Sequence, residues 1–464
     1  MTYRLPLPRP FLPLLNDTRF AMMLKFTLTP ASFALLGVVA LASCGERDVI
    51  LPGTRLDVRA VVSPDGPAIE QPMPATRALS LPGMRNNAEW THRGGTPSHY
   101  SGHVAIGGGL QRIFSAPIGQ PSGKRHRITA DPVVAAGRVF TQDSHALVTA
   151  TALSGGRAWS TDLTPVGESP NSTSGGGIAY EGGKVFVSTG FGELVALDAA
   201  SGGILWRQRV DAPIGGAPAV RDGVIYVTSR KATGFAVRAS DGKLQWQVAG
   251  IPQPTGVTGV AAPAVDGDLV VFPFASGQVL AVDRATGVER WSAQVAGTRP
   301  GRSIAYVRDM TGEPVISGDI IYAGTSSGRT NAFDRPTGTQ LWSAREGAVA
   351  PVLPVGNAIF AINDQNQLIR LDASTGGAVW ARNLPWYVDE KVKRQDRIYA
   401  QYGPVLAGGR LFVASSGGVL QAYDPVSGSL VGQAEIPGGA ATAPVVAGRT
   451  LYVTGRDGNL HAFR

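Results

Sequence analysis

Residues 183–206 read Gly183-Lys-Val-Phe-Val-Ser-Thr-Gly190, then Gly192-Glu-Leu-Val-Ala-Leu-Asp198, then Gly202-Gly-Ile-Leu-Trp206. The first two runs are short, aliphatic-rich and bounded by glycine, as hairpin-linked strands are. The third places a tryptophan four residues after a glycine and eight after an aspartate. An aspartate closing a strand bonds the amides of the turn, the glycine supplies a positive φ, and the indole is a broad plate for packing one sheet on the next.

Moving outward, the same frame recurs. Gly155 with Trp159, Gly202 with Trp206, Gly242 with Trp246, Gly287 with Trp291, Gly338 with Trp342 and Gly376 with Trp380 space their tryptophans by 47, 40, 45, 51 and 38 residues. Asp198, Asp283, Asp334 and Asp372 hold the aspartate position, and a further unit has Asp424 and Gly428 with Gly432 where the tryptophan would be. A Pro-led apolar strand precedes most units, at Pro132, Pro218, Pro263, Pro314, Pro351, Pro404 and Pro444. Four short strands per unit of roughly 40–50 residues predict an all-β, eight-bladed β-propeller of four-stranded blades over residues 89–464. The last unit stops at Arg464 before a fourth strand, which would leave an open edge. Residues 110–118, stranded ahead of the first unit, are expected to fill it. The repeated Asp and Trp residues read as structure, not as catalytic acids or a cofactor box.

Composition supports this. Of 464 residues 60 are Gly and 33 Pro, hydrophobics make up 43% and charged residues only 16%. A chain of that kind is neither disordered nor a helical bundle. The formal charge of +8 is scattered, without aromatics interleaved among the basic residues, which argues against nucleic-acid binding.

Cys44, the single cysteine, rules out an internal disulfide and a multi-thiolate metal site. It follows Lys25, the apolar run 33–41 and Leu41-Ala42-Ser43. A positively flanked apolar run of that length is an export signal, too short to span a bilayer. Small residues before a cysteine resemble the bacterial lipobox, in which the cysteine is acylated; Gly45 after it leans towards the outer membrane. Residues 1–43 are therefore expected to be a signal peptide with an over-extended start, Met22 or Met23 being the expected true start. Residues 44–88, broken by prolines, are expected to be a lipidated, flexible tether with a reach of about 35–40 Å.

Little else suggests catalysis. His92, His99 and His103 lie in a Gly- and Ser-rich segment with no close carboxylate, and read as surface histidines. Gly119 to Lys124 has the wrong spacing for a phosphate loop, and no nucleophile elbow or HExxH stands out. The repeat resembles that of the pyrroloquinoline quinone (PQQ) propellers, a resemblance that would imply a vicinal cysteine pair, a calcium and a catalytic Asp; Cys44 is alone. The expectation is a chain that is not an enzyme, with no cofactor and no metal. The alternatives are a PQQ-dependent periplasmic dehydrogenase, or a propeller lipoprotein binding another envelope partner such as peptidoglycan.

Export signal, lipobox, proline-rich tether and eight such repeats together resemble the BamB family of outer-membrane assembly factors. The resemblance implies a lipid-anchored, periplasm-facing scaffold that binds the periplasmic domains of a BamA-type barrel and helps insert nascent outer-membrane proteins. It also implies partner contact through loops entering adjacent blades, here Thr255-Gly-Val-Thr-Gly259 and Asp309-Met-Thr311. Val257 keeps the apolar character of the first loop and Asp309 one acid of the second; Thr258 replaces a family Arg and Thr311 the second acid. Arg308, with Arg299 and Arg302 nearby, is a candidate source of charge. The longer loop 386–402, carrying Asp389, Glu390, Lys391, Lys393 and Arg394, is suited to steering a partner.

Overall fold

Aliphatic residues at both phases of the strand repeat dictate burial on both faces. In the unit quoted above, Lys184–Thr189 and Glu193–Asp198 are almost wholly buried, as is most of Gly176–Glu181, whereas Ile204–Arg209 alternates exposed and half-buried positions. Three inner strands and one outer strand thus make a blade. The structure, a computed structural model, describes residues 78–210, 212–253, 257, 262–297, 299 and 307–464; Cys44, Thr255, Thr258 and Arg302 lie outside the described residues.

Eight sheets of four antiparallel strands form an eight-bladed propeller. Blades one to seven span residues 133–162, 176–209, 219–249, 264–294, 312–344, 353–383 and 401–435. Blade eight takes Val445–Ala447, Thr450–Thr454 and Asn459–Phe463 from the C-terminus and its outer strand, Arg112–Pro117, from the N-terminal side, paired antiparallel with Asn459–Phe463. The open edge expected from the sequence is closed as expected.

The tryptophan of each blade lies on the glycine that opens the outer strand of the next. A Cβ on Gly242 would come within 2.7 Å of the Trp206 ring, and one on Gly287 within 2.7 Å of Trp246. These glycines also have φ near +74°, so both close approach and backbone conformation require them. Trp159, Trp206, Trp291 and Trp342 donate their indole N–H to carbonyls of the following blade at 2.9–3.1 Å. At the closing seam Phe114 stands in for the indole against Gly155. Asp198, Asp283, Asp334, Asp372 and Asp424 accept hydrogen bonds from the amides and hydroxyls of their own turns, the structural role read from the sequence.

Residues 90–107 are the main departure from the sequence reading. This segment circles the axis as a strap and meets the blades in order. Trp90 exchanges backbone hydrogen bonds with Val134 of blade one, the Thr91 carbonyl accepts from Tyr180 of blade two, and His92 Nε2 accepts the Val220 N–H of blade three at 3.0 Å. Pro97 and Ser98 carbonyls accept from Val265 and Ile316 in blades four and five, and Tyr100 packs against the cluster of blades five and six. Val104 bonds Leu406 and Gly408 of blade seven, and Gly107 bonds Arg449 of blade eight.

His92, His99 and His103 are accordingly buried, not surface residues: His99 Nδ1 lies 2.8 Å from the Pro314 carbonyl, and His103 bridges the Pro82 carbonyl and the Gly409 N–H. Their polar context hid this, because ring nitrogens were needed to satisfy buried backbone groups. The last part of the stretch read as tether also docks. Leu79 and Leu81 pack on the core of blades six and seven, and the Ala78 carbonyl accepts from Asn357 and Arg370.

Two outcomes are expected. Gly242→Ala should destabilise the protein by about 2–4 kcal/mol, from the positive φ plus the Trp206 clash; Gly223→Ala in the same blade, with φ +75° but open space around it, should cost only about 1 kcal/mol. Equal costs in urea unfolding would show that the indole contact is unimportant.

The second concerns pH. Burial, then the neighbouring His99, pushes the His92 imidazole down to about 3; burial, with Arg93 nearby, holds His99 at about 4 against the pull of the Pro314 hydrogen bond. Unfolded, both titrate near 6.5, so the folded state binds fewer protons, and their stabilisation is full above pH 6.5 and lost as pH falls towards 4. His99 alone accounts for on the order of 2–3 kcal/mol of that loss. Glu313, raised to about 7 by burial, acts in the opposite direction between pH 7 and 4.5. Comparing His99→Asn with the wild type isolates the histidine: the variant should lose less stability between pH 7 and 4, and parallel curves would count against this.

Candidate partner-docking site

The strap lies at the end of the ring where the first strand of a blade turns into the second, as its bonds to Gly408 and Arg449 show. In an antiparallel meander the loops between blades must then emerge at the opposite face, which is thus left to loops alone. Here the chain enters blade four through residues 250–263 and blade five through residues 295–311.

Asp309 ties these two loops together. Its side chain is buried, and its carboxylate accepts the backbone N–H of Val257, with Arg230 Nη1 at 3.8 Å. Burial pushes the Asp309 carboxyl above its usual range, opposed by the Val257 hydrogen bond and the Arg230 charge. Thr311 is buried too, donating its hydroxyl to the Ala348 carbonyl at 2.5 Å. Of the described residues proposed from the sequence, then, Val257 and Arg308 reach the surface, while Asp309 and Thr311 face inward and hold the loops in place. The inward placement follows from backbone groups in the loops that need acceptors where water is excluded.

Beside this latch is a cleft of about 20 Å³ lined by Thr228, Ser229, Arg230, Gln253, Ala275 and Asp309. It has room for about one water. Arg230 was not singled out in the sequence. The signal was available, because the matching turns of blades four and five read Ala275-Ser-Gly277 and Ser326-Ser-Gly328, whereas this one reads Arg230-Lys-Ala232. The long loop before blade seven folds as a small hairpin, with Tyr387 bridged to Ile398, Trp386 stacked on Tyr387 at 5.6 Å, and Asp389 3.5 Å from Arg394.

The central channel is filled by the chain itself. Arg93 of the strap forms an ion pair with Glu313 and approaches Asp131 at 3.4 Å. Ala262 and Ala443 amides bond the same two carboxylates. Burial works against the Arg93 charge, but Glu313 and Asp131 outweigh it and raise its pKa. Beside this group is a cavity of about 50 Å³ lined by residues including Trp90, Arg93, His99, Ser101 and Asp131, room for a few waters. Among the described residues, no three His, Cys, Asp or Glu side chains are grouped to hold a metal.

Comparison with known proteins gives a consistent result. A curated outer membrane protein assembly factor BamB from Moranella endobia is 25% identical over 358 residues, covering 76% of this chain and 89% of its own length. The crystal structure of BamB from Moraxella catarrhalis superposes with a TM-score of 0.63 at 22% identity, over 76% of this chain and 99% of that one. A quinohemoprotein alcohol dehydrogenase from Comamonas testosteroni gives 0.60 at 16% identity, over 81% and 80%. At such identities the two structures establish the propeller fold alone. The sequence profile of the family described as outer membrane protein assembly factor BamB matches residues 144–382 and 384–464, most of the chain, and the chain belongs to that family.

Proposed function

We propose that this chain is a non-catalytic, lipid-anchored scaffold of the outer-membrane β-barrel assembly machinery. Acylated at Cys44 and tethered by the residues that follow, it faces the periplasm, docks on the periplasmic domains of a BamA-type barrel, and assists insertion of nascent outer-membrane proteins. Family membership supports the assembly role. The observation that supports the non-catalytic reading is the strap, which sets Arg93 between Glu313 and Asp131 in the channel, so that the loop face is the surface we assign to docking. On that face Val257 supplies an apolar contact whose position is fixed by Asp309.

Co-purification with the BamA-type barrel after mild detergent extraction tests the reading. Val257→Glu is expected to abolish the complex. Asp309→Ala is expected to weaken it roughly tenfold by freeing the Val257 loop, while Asp309→Asn, which keeps an acceptor, retains most of the affinity. Both should leave the far-UV β signature intact. Wild-type binding by Val257→Glu would move the interface elsewhere, and turnover in a quinone-reconstituted dehydrogenase assay would revive the enzyme reading. Cys44→Ser is expected to shift the protein from the membrane to the soluble fraction; unchanged membrane association would remove the acyl anchor.

A further inference from the structure

In blade five the strands Arg329–Asp334 and Gln340–Ala344 pair with Thr330 opposite Ala344. Just beyond this pair, at the loop face, are Arg329 and, past the end of its strand, Arg345, close enough for each to feel the other's charge. Like charges brought close on neighbouring strands are destabilising. A third guanidinium joins them. Arg299, from the same interblade loop as Asp309, donates to the Arg345 carbonyl at 2.7 Å, and its side chain runs along Gly328, where an added Cβ would meet Arg299 Nε at 3.1 Å.

Arg299 is neutralised by Asp364 and, at 3.6 Å, Glu346; among the described residues Arg329 and Arg345 have no carboxylate partner. Burial, followed by the charges of Arg345 and Arg299, holds the Arg329 pKa below its usual value. Arg329 is half-buried and Arg345 exposed, so the pair opens to solvent beside the candidate docking loops.

Resting on the docking reading above, we propose that Arg329 and Arg345 form an anion-binding corner that receives acidic side chains of the docked protein partner. The repulsion between the two guanidiniums is relieved when carboxylates bridge them, and their planar forks suit bidentate carboxylate contacts. The corner lies on the same loop face as Val257 and adds a charged contact to an apolar one. Such a pair contributes to recognition and on-rate at a small loss in the stability of the free protein.

The test titrates the full chain against the periplasmic domains of the BamA-type barrel at low and moderate salt. The double variant R329Q/R345Q is expected to bind about tenfold more weakly at low salt, to lose part of the salt dependence, and to unfold at or above the wild-type midpoint. Wild-type affinity and salt response in the double variant would overturn the proposal, as would a lowered midpoint with unchanged affinity, which would make the pair structural. V257E, run in parallel, separates the two readings. If it abolishes binding while the double variant binds normally, only the acidic corner fails; if both bind as wild type, the docking reading fails as well. Phosphatidylglycerol vesicles form the second arm: loss of vesicle binding in the double variant, with unchanged affinity for the periplasmic domains, would assign the arginines to lipid phosphate and overturn the acidic-partner proposal.

Discussion

An indole lying flat on a glycine of the next blade is the contact on which the ring depends. Each tryptophan buries a large apolar plate, worth on the order of 2–3 kcal/mol, and four of the six also bond the neighbouring blade through the indole N–H. The glycine beneath must be glycine twice over, for its φ near +70° and for the absent Cβ. Because six of the eight seams use the same pair, blade-to-blade rotation is set repeatedly to one value, and eight repeats return the chain to its start. Where the pattern lapses the chain compensates from outside the repeat: Leu110 lies by Gly432 in blade seven, and Phe114 covers Gly155. Both come from the N-terminal segment, so closure and strap are one continuous device.

This explains what could be read in advance. Trp206, Gly202 and Asp198 were legible because each recurs at a fixed offset, and a residue repeated at every seam declares a packing role without a structure. The missing fourth strand of blade eight was legible because a count that ends early leaves an edge that must be covered. The strap was not. His92 and His99 reach blades far off in the chain, 128 residues away for His92 and Val220 and 215 for His99 and Pro314, as Arg93 does for Glu313, and no periodicity marks contacts made once. Their polar neighbourhood argued for the surface, when the same polarity was serving backbone groups of the channel wall.

Asp309 shows the same limit of sequence reading. An acid in an interblade loop reads as a charge offered outward, yet its carboxylate accepts the Val257 N–H. Sequence specifies that the loop carries an acceptor, whereas burial decides whom it serves. What the partner would meet is a presented aliphatic side chain whose position Asp309 has fixed beforehand, so that little loop entropy is lost on docking.

Plugging the channel has a consequence for how the two faces divide the work. The strap satisfies backbone groups of seven blades and packs on the remaining one, so that face is closed, internally bonded and costly to rearrange. On the opposite face the loops before blades four, five and seven need only be anchored at their strand ends, and they vary in length and charge without disturbing the seams. On the docking reading proposed above, rigidity is concentrated on the strap face, and local repulsion such as that between Arg329 and Arg345 is tolerated where a bound partner relieves it. The strap's Arg93, seated between the carboxylates of Glu313 and Asp131, carries the closure of that face into the channel itself.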